Sequence, residues 1–228
     1  MKYVLSSLFL LAGLVSQSPA ATCTAGSLAS YIALGSAGCT VGNNTLANFM
    51  IVPGSNGATA ISPTAIGITP LGGSLDPGIS TTVQQSAAGN IFEAIFSYRI
   101  SGSRYQSETY TLSGSSETGS GAVTGLQNNC AGGTFDSSGV SGCSGVSGTL
   151  LTLDGVQNRD FGTFALPSFL NITDDLTIDG TGGTASAGTL TDQFNAVPEP
   201  ASGTLSAIAL FLASGLLFRS GRKSLTQK

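Results

Sequence analysis

From Cys39 onward, Gly, Asn, Asp or Pro interrupts nearly every apolar run, and this punctuation constrains the fold more than any other feature of the chain. These residue types favour turns, and the intervals between them are too short for helices that persist. What remains is a series of short extended segments: Asn48–Val52, Thr64–Thr69, Ile91–Ile100, Glu108–Leu112, Gly148–Leu153, Phe161–Leu166, Asp175–Ile178 and Gly188–Phe194. Ile91–Ile100 is the clearest strand, with Phe92, Phe96, Tyr98 and Ile100 on one face and Glu93, Ser97 and Arg99 on the other. Glu108–Leu112 reads as its hairpin partner across Ser101-Gly102-Ser103. Pro53-Gly54 and Pro70 read as strand stops, and the Gly/Ser-rich stretch 113–148 as long loops. One helix is predicted over Ser27–Leu34, capped by Ser27 and ended by Gly35. The pattern predicts an all-β fold, an antiparallel β-sandwich of jelly-roll-like kind, with one short N-terminal helix.

Cys23, Cys39, Cys130 and Cys143 are the only cysteines. Three pairings are possible, and the spacing favours two local loops, Cys23–Cys39 and Cys130–Cys143. Each such bridge would contribute about 3 kcal/mol through loop entropy. A zinc reading needs a CxxC-like pair or a nearby histidine, and the chain has no histidine at all.

Both ends read as processing segments. Residues 1–20 run from Lys2 through the apolar stretch Val4–Val15 to Ser18-Pro19-Ala20, the order expected of a secretory signal helix that would release Ala21. Ala201–Phe218 carries no charge and would span about 27 Å as a helix, close to the thickness of a hydrocarbon core. Arg219, Arg222, Lys223 and Lys228 follow it, so residues 219–228 would stay in the cytoplasm and the preceding domain outside. The expected organisation is therefore a signal peptide at 1–20, an exported domain at 21–196 and a C-terminal segment at 197–228.

The domain is markedly acidic. Arg99, Arg104 and Arg159 face eleven Asp and Glu residues, a net of eight negative charges, and there is no lysine. Such a surface offers no electrostatic footprint for nucleic acid. Without histidine there is no Ser-His-Asp or Cys-His pair and no imidazole switch. Asp174, Asp175 and Asp179, or Asp154 and Asp160, could be weighed as calcium ligands, but neither the EF-hand nor a nonapeptide repeat is present. Asp in such positions more often begins turns and solvates loops. The paired glycines lack the strand, helix and lysine of a phosphate loop. Threonine pairs such as Thr109 and Thr111 are scattered rather than arrayed as in an ice-binding solenoid. The expectation is no catalytic residue, no metal site and no cofactor.

Val197-Pro198-Glu199-Pro200, an apolar span and an Arg-rich end together resemble the PEP-CTERM sorting signal of exported bacterial proteins, a segment also labelled an ice-binding protein C-terminal domain. The resemblance covers about 30 residues. It implies that Pro198, Glu199 and Pro200 are recognised by an integral-membrane protease, an exosortase, for which this chain is a substrate. Two prolines hold an extended, unpaired backbone suited to a protease cleft. The segments 28–49 and 68–80 resemble, more loosely, blocks of the β-sandwich domains that often precede this signal. The resemblance implies a protein anchored in the inner membrane with its domain in the periplasm, or released to the cell surface or extracellular matrix. The leading expectation is a non-catalytic envelope or matrix protein. The alternative is a binding module for carbohydrate or protein, with Tyr31, Tyr98, Tyr105 or Tyr110 as stacking residues and a surface polysaccharide as partner.

Overall fold

The computed structural model describes residues 20–54 and 57–197. The signal segment up to Pro19, the sorting residues Pro198, Glu199 and Pro200, and the span and tail beyond them lie outside the described residues. Among the described residues no helix is long and apolar enough to cross a membrane.

In chain order the elements are β1 (Ala21–Thr22), β2 (Gly26–Ser27), α1 (Leu28–Ile32), β3 (Cys39–Val41), β4 (Asn44–Ile51), β5 (Thr59–Ala60), β6 (Ile66–Leu71), β7 (Gly78–Val83) and β8 (Ser86–Ala88). Then come β9 (Ile91–Ser101), β10 (Arg104–Ser113), β11 (Ser116–Gly119), β12 (Ala122–Ala131), β13 (Val146–Leu153), β14 (Arg159–Thr163), β15 (Phe169–Asp179), β16 (Gly183–Ser186) and β17 (Thr189–Val197). The helix is shorter than expected, but Ser27 caps it, its Oγ accepting from Ser30 N.

Two sheets face each other. The larger runs β1-β3-β4-β9-β15-β12-β13, with β5 also paired to β9; the second runs β14-β10-β17-β7-β6-β2. A small sheet, β11-β16-β8, completes the fold. All but the two short β1–β3 and β5–β9 pairings are antiparallel. Leu46, Phe96, Ile100, Leu170, Ile172 and Ile178 from the large sheet meet Ile66, Ile68, Ile79, Leu112, Leu190 and Phe194 from the second in one apolar core. The all-β sandwich expectation holds at this level.

Several local expectations do not. β9 and β10 are not a hairpin; they belong to different sheets, and 102–103 carries the chain across the sandwich. Gly102 makes that crossing possible, because its φ is +112° and a Cβ there would collide with the Asn43 carbonyl. The stretch expected to be loops contains β12, an interior strand ten residues long. Pro70 does not end its strand but pairs with Ile79. Its other side is open, since β2 covers only Gly67 and Ile68, and proline is tolerated where no ladder donor is needed.

Both local disulfides are formed, Cys23–Cys39 and Cys130–Cys143. The second pins the 132–145 loop against the outer face of the large sheet. There Asn171 Nδ2 donates to the Gly133 carbonyl and Thr173 Oγ1 to the Gly139 carbonyl.

Candidate functional site

Strand alternation sends every second side chain into the sandwich, and in its middle several of those side chains are polar. Asp174 sits in phase with Leu170, Ile172, Leu176 and Ile178 on β15, Gln127 and Asn129 in phase with Val123 on β12, and Asp192 in phase with Leu190 and Phe194 on β17. Glu108 and Tyr110 enter from β10 and Tyr98 from β9, and all seven side chains are buried. The pairing register aligns Asp174 with Gln127 in one sheet and Tyr110 with Asp192 in the other.

These groups form a connected seam between the sheets. Tyr98 OH donates to Asp192 Oδ2 at 2.8 Å, Gln127 Nε2 to Asp174 Oδ1 at 3.0 Å and Asn129 Nδ2 to Glu108 Oε2 at 3.4 Å. Asp174 lies against Asp192, and Glu108 lies beside Gln127 as well as Asn129. Separately, Tyr105 OH donates to Asn44 Oδ1 at 3.0 Å, a second polar link across the sandwich. Gly125 provides room for the seam: a Cβ there would lie 2.6 Å from Thr152 Oγ1 and 3.0 Å from Tyr110 OH.

Among the described residues no guanidinium offsets this charge. Arg99 lies 3.9 Å above the Phe169 ring, Arg104 donates to the Leu166 carbonyl and Arg159 to Thr109. Burial therefore pushes the Glu108 and Asp174 carboxyls well above the ordinary range, and the neighbouring Asp192 adds to both. Burial also raises Asp192, to about 6, against the lowering effect of its bonds from Asp174, Tyr98 and Gln127.

The acids weighed as calcium ligands are dispersed. Asp174 is in the core, Asp175 on the opposite face of the same strand, and Asp179 bonds Thr181 N and Oγ1 at the strand's end. Asp160 accepts from Leu151 N and Phe161 N, and Asp154 from Gly155 N. Among the described residues no three Asp, Glu or Cys side chains are arranged to hold a metal ion. The tyrosines proposed to stack on a ligand are corrected outright. Tyr31, Tyr98, Tyr105 and Tyr110 are core residues, since each ring fills the sandwich or packs beside it.

A surface cleft of about 300 Å³ opens between β13 and β14. Asn129, the residue that bonds Glu108, lines it together with Val146, Leu150, Phe161 and Phe164. Its lining carries no ionisable side chain. Val146 is 70% exposed and Phe161 56% exposed. Phe161 was read from sequence only as part of a strand; an aromatic on a two-residue alternation beside Gly162 was the available signal.

No family model matches the chain, and no curated protein matches it. Among solved structures it is similar to that of TmCBM61 in complex with beta-1,4-galactotriose, at 12% identity, the match covering 54% of this chain and 71% of the other with a TM-score of 0.28. So loose an overlap transfers neither fold nor ligand.

Proposed function

We propose that the chain is a non-catalytic exported envelope or extracellular-matrix protein, sorted through Pro198, Glu199 and Pro200 by a membrane protease of the exosortase kind. The two disulfides carry this reading. Paired cysteines persist in oxidising compartments, and here all four cysteines of the chain are paired. The converging carboxyls are sealed inside the sandwich, where no substrate reaches them, which supports a structural rather than catalytic role. The described strands run up to Val197, so the motif begins directly after β17.

The test is expression with one tag after residue 21 and another after Lys228, in a host with and without the protease. With the protease, the expected outcome is loss of the C-terminal tag from part of the protein and a shift of the domain out of the membrane fraction. Co-migration of both tags in both hosts would refute sorting by cleavage.

A second reading has its own observation. The uncharged β13–β14 cleft with Phe161 at its rim suits a neutral, partly apolar ligand, such as a sugar whose CH face stacks on the ring. Glycan-array binding that is lost in Phe161→Ala would support it. Binding to no glycan would remove carbohydrate as the ligand class.

A further inference from the structure

We propose that the Glu108–Gln127–Asp174–Asp192 seam is a proton lock: the folded domain holds one proton between Asp174 and Asp192 and another on Glu108, and an alkaline medium that removes them releases the two sheets from each other.

The geometry requires the protons. Taken as ionised, the seam leaves Glu108 Oε1, Asp174 Oδ2, Asp192 Oδ1, Gln127 Oε1 and Tyr110 OH all buried with no hydrogen-bond partner. Two buried carboxyls side by side with no cation between them cannot both stay ionised, and Asp174 and Asp192 are such a pair, each with one orphaned oxygen. A proton on Asp174 Oδ2 gives Asp192 its missing donor. A proton on Glu108 Oε1 removes the charge of the other buried carboxyl, which no cation meets. Two protons thus turn two orphaned carboxylate oxygens into donors and remove two buried charges, which unpaired would be strongly unfavourable. Asp192 is the member that stays ionised most readily, because Tyr98 OH also donates to it.

The Tyr110 hydroxyl can serve one orphaned oxygen, but among the described residues no cation is packed against the seam to replace those protons. The titratable groups facing it are Tyr98 from β9 and Tyr110 from β10, both neutral. β12 contributes Gln127 and Asn129, β13 Thr152, β4 Asn44 and β7 Thr81, none of which titrates. Asp160 on β14, opposite Tyr110 in register, is held by the Leu151 and Phe161 amides. Glu93, Arg99 and Asp175 lie on the outer face of the large sheet.

The sign follows from linkage. The folded state keeps its protons above the ordinary carboxyl range near about 4, while the unfolded chain releases them there. The stability this supplies is complete below that range and is lost as the pH rises toward the folded-state values. While both protons stay bound, the folding equilibrium weakens by up to about 100-fold for each pH unit above the ordinary carboxyl range.

The experiment uses the full chain in a nonionic detergent, with urea unfolding followed by circular dichroism from pH 5 to 8. Infrared spectra of the folded protein are recorded at pH 7. The expected result is an infrared band of protonated carboxyl at pH 7 and a folding equilibrium that weakens as the pH rises, by more than about tenfold per unit where both protons are held. Asp174→Asn and Glu108→Gln imitate the protonated groups, so each should fold at least as stably as wild type at pH 7 and cut the dependence to about tenfold. Asp192→Ala, which removes the acceptor of Tyr98, should destabilise at every pH. A wild-type protein without the infrared band, or with a flat pH profile, overturns the proposal. So does calcium-dependent stabilisation that vanishes in the Asp174→Asn, Glu108→Gln double variant, because the seam would then hold a cation. If the variants fail to fold, the wild-type band and profile still decide.

Discussion

Removing the Cys130–Cys143 bridge isolates the contribution of one loop to the whole sandwich. Cys130 is fully buried near the end of β12, and Cys143 returns the chain to it after 13 residues. Closing a loop of that size stabilises by about 3 kcal/mol in the chain-entropy model. Alanine at 130 also deletes a buried sulfur, for roughly 1 kcal/mol more. The loop has other attachments, namely the Asn171 and Thr173 bonds to its carbonyls and the Asp136 side chain, which accepts from Ser138 N at 2.8 Å and Ser141 Oγ at 3.0 Å. These hold the folded loop in place but do not restrict the unfolded chain, so they do not replace the bridge. Cys130→Ala, Cys143→Ala should therefore lose about 4 kcal/mol and melt about 10 °C lower, with circular dichroism unchanged at room temperature. Urea unfolding of both proteins at one pH measures the difference. A loss below about 1 kcal/mol would refute the entropic reasoning. A loss of strand signal at room temperature would show that the bridge builds the fold rather than only stabilising it.

Three further outcomes follow from named contacts. Tyr105→Phe leaves Asn44 Oδ1 without its donor and should destabilise by about 1–2 kcal/mol; Asn44→Ala added to it should produce less than the sum, read from a double-mutant cycle. Gly125→Ala places a methyl 2.8 Å from Leu190 Cδ1 and against Thr152 and Tyr110, so an overpacking loss of about 1–3 kcal/mol is expected in urea unfolding. Phe161→Ala should change stability by less than about 0.5 kcal/mol, since the ring is exposed, while abolishing any ligand binding in the β13–β14 cleft.

What the sequence showed and what it hid have physical reasons. Ile91–Ile100 was legible because its inward set is large and apolar, and the disulfides because local spacing left one economical pairing. β12 was hidden because its inward residues are Val123, Gly125, Gln127 and Asn129, which read as turn chemistry when taken one at a time. Only phase reveals such a strand: Asp174 lies two residues from Ile172 and from Leu176, so it had to share their face. Read as a loop acid, it could not be recognised as part of a buried seam. The β9–β10 error has another source. A hairpin and a crossing between sheets both present two apolar-faced strands around a Gly turn, and the difference lies in long-range partners, β15 for one and β17 for the other.

The position of β17 has a mechanical consequence. It lies between β10 and β7, antiparallel to both, and its last residue, Val197, still pairs with Arg104. Ladder hydrogen bonds run across an antiparallel strand rather than along it. A tether pulling along β17 from Val197 would load the bonds on both flanks in shear, together, instead of unzipping them one by one. A chain held at that point would transmit force into the centre of the second sheet, through the strand that also carries Asp192.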